Sequence, residues 1–216
     1  LTVQTDISID LFTVEPGTPR YLLVIRGSPA SLAPTLYAEY GSVSLVAGKQ
    51  DAAGHFAHPD PEDLLRFTVR NPAAEADGLA RLADVGFKGP VGDQLSPLVG
   101  CREVLNFLGR DLPALRRMGW RIDFDGPIAP MIEKADFVTP VVRVTDGAAG
   151  DWFDVNFEYD DGQGGSLTPA EVQRALLKGE SYIEKNGRTV LLDSGAISSM
   201  NEIFSDCAAG EGSRPG

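Results

Sequence analysis

The chain has 216 residues, with 19 Lys and Arg against 31 Asp and Glu, a formal charge of −12. It is 43% hydrophobic and 23% charged, which excludes a wholly disordered chain, a collagen-like repeat and a disulfide-dense secreted scaffold, while leaving room for one large core or two small ones. The acidity is spread over the chain, −4 for residues 1–110 and −8 for 111–216, and argues against gripping nucleic acid by bulk electrostatics.

The first fifty residues read as strands. Ile7, Ile9 and Leu11 alternate with Ser8, Asp10 and Phe12, as in a half-buried strand. Pro16-Gly17-Thr18-Pro19 marks a turn, and Tyr21 to Ile25 is a short apolar run. Leu32 to Tyr40 and Val43 to Val46 follow across Gly41, together predicting an antiparallel meander. Residues 47–61 read as a polar loop holding both histidines, and Asp60-Pro61 has the form of a helix start running to Arg66. Asn71-Pro72 opens a helix carrying Ala76, Leu79, Ala80, Leu82 and Ala83, which Gly86 stops. Glu103 to Leu108 predicts a short helix. Leu112, Leu115 and Met118 predict another, ended by Gly119.

Breaks at Gly126, Pro127, Pro130 and Glu133-Lys134 make residues 120–136 the best internal boundary. Beyond it, Trp152, Asp154, Asn156 and Glu158 interleave with Phe153, Val155, Phe157 and Tyr159 in strict period-two alternation. Phe137 to Val144, linked through Asp146-Gly147, is the expected partner strand. Thr168-Pro169-Ala170-Glu171 has the form of a capping box, followed by the stripe Val172, Ala175 and Leu176 and a stop at Gly179. Tyr182–Lys185 and Arg188–Leu192 flank Asn186-Gly187, a hairpin signal, and Ile197 to Phe204 predicts a last short helix. The expected fold is α+β, with mainly antiparallel sheets, short helices and a division into two subdomains. Residues 1–119 form a β-rich part with helices, 120–207 a smaller β/helix part and 208–216 a flexible tail.

Chemical motifs are sparse. Gly48-Lys49 has Val43 and Gln50 where a phosphate-binding loop needs Gly and Ser or Thr, so a strand-end turn is the better reading. Gly162-Gln163-Gly164-Gly165 reads as a turn before the Thr168 cap. His55 and His58, near Asp51 and Asp60, lie in a loop where their spacing implies no metal. Asp123-Phe124-Asp125-Gly126 would require Arg121 and Ile132 as calcium ligands and is rejected. No Ser stands in a nucleophile elbow, and Asp160-Asp161 suits a turn. Cys101 and Cys207 form no Cys-x-x-Cys pair; two reduced thiols in a cytoplasmic protein are favoured over one disulfide. No apolar run approaches the roughly 20 residues that cross a bilayer. Arg102, Arg110, Arg116, Arg117 and Arg121 outnumber Glu103 and Asp111 around Trp120. This is the one local candidate for nucleic-acid contact, through Arg116, Arg117 and Arg121, weighed against a solvated helix face with Trp120 in the core.

Four stretches carry a family likeness: Leu36-Tyr37-Ala38-Glu39-Tyr40-Gly41; Arg70-Asn71-Pro72-Ala73-Ala74-Glu75 with Leu79, Leu82 and Gly86-Phe87; Phe107-Leu108 with Leu112-Pro113-Ala114-Leu115 and Gly119-Trp120; and Asp151 to Glu158 with Leu167-Thr168, Glu171 and the Gly187 hairpin. In this order the chain resembles the helicase-associated region N-terminal to the motor of bacterial SWI/SNF-family helicases. The resemblance implies a non-catalytic accessory domain of an ATP-dependent DNA translocase, with the motor C-terminal to it, and gives no catalytic, cofactor or metal residue. The absent starting Met and the polar C-terminal end agree with excision from a longer chain. The expected partners are that motor and either DNA or another protein, with no membrane and no small-molecule substrate. A free-standing interaction or scaffold domain unrelated to helicases is the alternative.

Overall fold

The computed structural model describes residues 11–50, 57–60, 62–146, 153–160, 166–185 and 187–210. The fold is α+β, and the chain divides into two compact units. The first comprises the described residues up to Ile25, Ala33–Pro97 and Gly119–Asp123; the second comprises Arg26–Leu32, Leu98–Met118 and Phe124 onward. The sequence suggested a division at 119/120. The helical run at 101–117 instead belongs with the C-terminal residues, because it buries Val104, Phe107, Leu108, Leu112 and Leu115 there.

In the first unit, β2 (Arg20–Ser28), β3 (Ser31–Tyr40) and β4 (Val43–Val46) follow the expected meander, and β8 (Arg121–Asp125) joins beside β2 in the order β4-β3-β2-β8. Strands β2, β3 and β8 contribute residues to both units. Gly41 makes the β3–β4 turn at φ +60°, in register Tyr40↔Val43. Alternation buries Leu23 and Ile25 on β2 and Leu36, Ala38 and Tyr40 on β3. Helix α1 (Pro72–Asp84) adds Leu79 and Leu82, and Asn71 caps it by accepting from the Ala74 N–H at 3.1 Å. Ala76 and Ala80, expected on the apolar stripe, are exposed.

A second sheet pairs β1 (Thr13–Pro16) in parallel with β6 (Arg66–Val69), with β5 (Ala57–Pro59) antiparallel on its other side. The helix expected from Asp60 does not form. Asp60 and Asp63 accept from the Glu62 and Leu65 N–H groups two residues on, at 2.9 and 3.0 Å, so these side chains build turns that lead into β6. His58 stands on β5 rather than in a loop. Of the strand predicted over residues 7–12, residues 7–10 lie outside the described residues, as do those around His55, while Leu11 and Phe12 precede β1 and are in no strand.

The second unit is built on a five-stranded sheet in the order β11-β10-β9-β13-β12. Strands β9 (Asp136–Asp146) and β10 (Phe153–Asp160) pair antiparallel, as predicted, with Asp146 opposite Phe153. The short β11 (Ser166–Leu167) borders β10. The hairpin of β12 (Tyr182–Lys185) and β13 (Arg188–Leu192) also follows the prediction, with Gly187 at φ +75°. Strand β13 joins β9 in parallel, which local pattern could not reveal. Trp152, the linker glycine Gly147 and the 162–165 stretch lie outside the described residues. Helix α5 (Pro169–Leu177) starts at the capping box. Thr168 accepts from the Glu171 N–H at 3.3 Å, and Glu171 accepts from the Thr168 N–H at 2.8 Å. Its Val172 and Ala175 pack with Val138, Tyr159, Val190, Leu192 and Ile197 in one core. Helix α6 (Ser194–Gly210) outruns the prediction at both ends. Asp193 caps it through the Ala196 N–H, and the segment expected to begin a tail, Ala208-Ala209, continues it because Ala favours helix.

The two helices expected on either side of Gly109 are one run, α2 (Cys101–Asn106), a π-turn over Phe107–Asp111 and α3 (Leu112–Arg117), which follows a separate two-residue strand β7 (Leu98–Val99). Gly109 lies against the backbone of Ser181 and Leu192, where a Cβ would run into the Ser181 carbonyl. Asn106 clamps the same strand entry, accepting from the Ser181 N–H at 2.8 Å and donating to the Gly179 carbonyl at 3.2 Å. A 3₁₀ turn (Gly126–Ile128) and helix α4 (Ala129–Glu133) occupy the breaks at 126–134.

Two outcomes follow from these contacts. Gly109→Ala is expected to lower stability to urea by roughly 1–3 kcal/mol, because backbone must move to admit one methyl. The Glu171 carboxyl is held at about 2 by the Thr168 backbone N–H, the Lys185 ammonium and the Thr168 hydroxyl. A carbon-detected NMR titration is expected to find it still ionised at pH 3; Thr168→Ala, which removes the hydroxyl but leaves the backbone N–H and Lys185, raises it only part of the way toward the ordinary value near 4.3.

Candidate functional site

The most organised polar group of the first unit is built on Glu75, in the first turn of α1, whose side chain is wholly buried. Four donors meet its carboxylate. Arg70 gives Nε to Oε1 at 2.7 Å and Nη2 to Oε2 at 2.6 Å. The Tyr40 hydroxyl donates to Oε1 at 2.8 Å, and the Gly48 N–H to Oε2 at 2.7 Å. Arg70 also donates to the carbonyls of Lys49 at 2.7 Å and Val46 at 3.2 Å, and the Tyr40 oxygen accepts the Asn71 N–H at 3.0 Å. Burial alone would raise the Glu75 carboxyl; the bonds from Arg70, Gly48 and Tyr40 outweigh it and hold it below the usual carboxylate range. Burial pushes the Tyr40 hydroxyl up, so it stays a donor at neutral pH. Every strong donor here is already engaged with the fold, and the arrangement offers no open acid or base.

This network also accounts for Gly48-Lys49. Gly48 has φ +75°, and a Cβ on it would lie 2.8 Å from the Leu79 Cδ1. Its N–H points to Glu75 rather than to a phosphate, while Lys49 Nζ pairs with Asp93 at 2.7 Å. The pair is a strand-end turn. Its purpose was not legible, because its partner lies 27 residues away.

The arginines of the 102–121 stretch are distributed between the units. Arg116 and Arg117 end α3 in the second unit, and Arg121 opens β8 in the first. Arg117 makes a two-pronged ion pair with buried Asp193. Arg121 reaches Glu39 at 3.1 Å and Asp123 at 3.7 Å. Arg110 pairs with Asp111, and Arg102 donates to the Lys178 carbonyl at 2.8 Å. Arg116 is exposed and has no ion pair among the described residues. Trp120 is 6% exposed, and its ring centroid lies 4.6 Å from that of Tyr21, so it packs in the core and presents no face to a base. Asp125 pairs with Arg26 at 2.9 Å. Among the described residues no group of three or more His, Cys, Asp or Glu converges to hold a metal ion. Nor is any helix among them long and apolar enough to cross a membrane.

The second unit contains a cleft of about 720 Å³ that no sequence pattern announced. Its walls come from α2, from the residues after α4 and from the β12–β13 hairpin, and the exposed thiol of Cys101 lies on it. Segments so far apart in sequence carry no shared spacing, so only tertiary structure gathers them. No family model, curated protein or solved structure matches the chain.

Glu75→Gln is expected to cost on the order of 3–5 kcal/mol in urea unfolding at pH 7, since Arg70 then keeps a buried charge without its counter-ion. The folded-state carboxyl of Glu75 is lowered, so its contribution is complete above the unfolded value near 4.3 and is lost as pH falls through the folded value. The stability gap between wild type and Glu75→Gln should therefore be constant from pH 7 to 5 and close in more acid solution.

Proposed function

We propose that this chain is a non-catalytic accessory domain of a bacterial, cytoplasmic SWI/SNF-type ATP-dependent DNA helicase or translocase, which positions or regulates the motor by contacting it. The observation that carries the reading is where two of the resembling stretches meet. Tyr40 stands in the first, and Arg70 and Glu75 bound the run that opens the second; the three side chains close one buried network. Residues of the likeness therefore serve the fold, as a domain without its own chemistry requires. The ion pairs of Arg117 and Arg121 agree with a minor share in DNA contact, in which Arg116 is the arginine readiest to meet a phosphate.

The purified chain is expected to hydrolyse no ATP above background, with or without DNA. Reading the gene past codon 216 is expected to show a phosphate-binding loop and then an Asp-Glu-x-His-type motif. Clear turnover by the chain, or an unrelated sequence in that position, would sink the reading. The DNA share is tested separately by replacing Arg116, Arg117 and Arg121 with Gln. A salt-sensitive duplex affinity that survives the triple change unaltered would show that these arginines do not contact DNA.

A further inference from the structure

The two faces of the β12–β13 hairpin differ in what covers them. Ile183 and Val190 stand opposite each other and pack with Val172, Ala175 and Ile197 in the core. The alternate positions, Thr189 and Leu191 on β13 and Glu184 on β12, line the cleft. Met131 and the edge of Leu105 supply apolar lining, and a volume of about 720 Å³ is that of a small-molecule site.

The polar groups of the cleft are unequal. Lys134 and Arg188 both line it, and neither has an ion pair among the described residues. Asp136, also in the lining, is engaged with a partner of its own. Two cations and two carboxylates, Asp136 and Glu184, thus line the cleft. In a chain of charge −12, two cations without ion pairs among the described residues on one cleft are a local exception. A guanidinium and an ammonium both suit a carboxylate, the first through its two-pronged fork and the second as a compact charge. Glu184 would repel a second negative charge.

We infer that this cleft is a binding site for a small amphipathic monocarboxylate, its charged end at Lys134 and Arg188 and its apolar body over Met131 and Leu105. The inference is independent of the helicase reading and departs from the expectation that no small molecule is involved.

Octanoate is a suitable probe, with 1-octanol as its neutral counterpart. Because Cys101 lines the cleft and is exposed, its alkylation by iodoacetamide, assigned to that residue by peptide mass spectrometry, reports occupancy. Octanoate is expected to slow the alkylation saturably, and octanol at equal concentration to slow it several-fold less. In the double variant Lys134→Gln, Arg188→Gln the half-saturating octanoate concentration should rise about tenfold or more. Both side chains are exposed, and an unchanged circular dichroism spectrum checks that the variant is folded. Amide shifts of Leu105, Thr189 and Leu191 give a second readout that does not depend on the thiol. Octanoate that neither protects Cys101 nor moves these amides would overturn the site. Protection equal in wild type and double variant, or equal for octanoate and octanol, would overturn the assignment of a carboxylate ligand.

Discussion

A buried carboxylate with no exposure to water must find its hydrogen bonds inside the protein, and Glu75 finds four. That constraint organises the first unit. It fixes the first turn of α1 against the end of β3 through Tyr40, and against the turn after β4 through Gly48. Arg70, which neutralises the charge, uses its remaining donors on the Val46 and Lys49 carbonyls, so the turn is held from two sides. A buried ion pair of this kind is weak evidence for net stability, since desolvating two charges costs several kcal/mol. Its effect lies in specifying the arrangement, because any other register of these segments would leave a buried charge without partners.

The second unit solves its packing by close backbone approach. Gly109 lets the helical run lie directly on the start of β12 and the end of β13, and Asn106 then satisfies the Ser181 N–H and the Gly179 carbonyl that this approach would bury. On the opposite side of the hairpin strand, Val190 joins the α5 and α6 core. The cleft remains where α2 leaves Thr189 and Glu184 uncovered.

Elements set by local chemistry were legible in the sequence. The capping box at Thr168, the Asn71-Pro72 helix start, the Gly41 turn and the Gly187 hairpin each depend on residues within a few positions of one another. Where two local outcomes compete, sequence alone chose wrongly. Asp60 can cap a helix or close a turn with equal ease, and the strand Arg66–Val69, held in a ladder with β1 and β5, decided for the turn. Long-range pairings gave no local sign: the parallel joins of β1 with β6 and β13 with β9, and the cleft gathered from distant segments. The Glu75 network was half visible, since Arg70 and Glu75 are close in sequence, while Tyr40 and Gly48 could be assigned only from tertiary structure.

The π-turn at Phe107–Asp111 has a consequence for length variation. An i→i+5 turn holds one residue more than an α-turn, and here it lies between two ordinary helical segments buried by different side chains, Val104 and Leu105 before it, Leu112 and Leu115 after it. Loss of one residue within the turn would convert it to plain α-helix while the flanking segments kept their neighbours. Loss of a residue from either flank would instead rotate that segment by about 100° and carry its leucines toward water. The wide turn is thus the joint at which this helical run can change length without changing its faces.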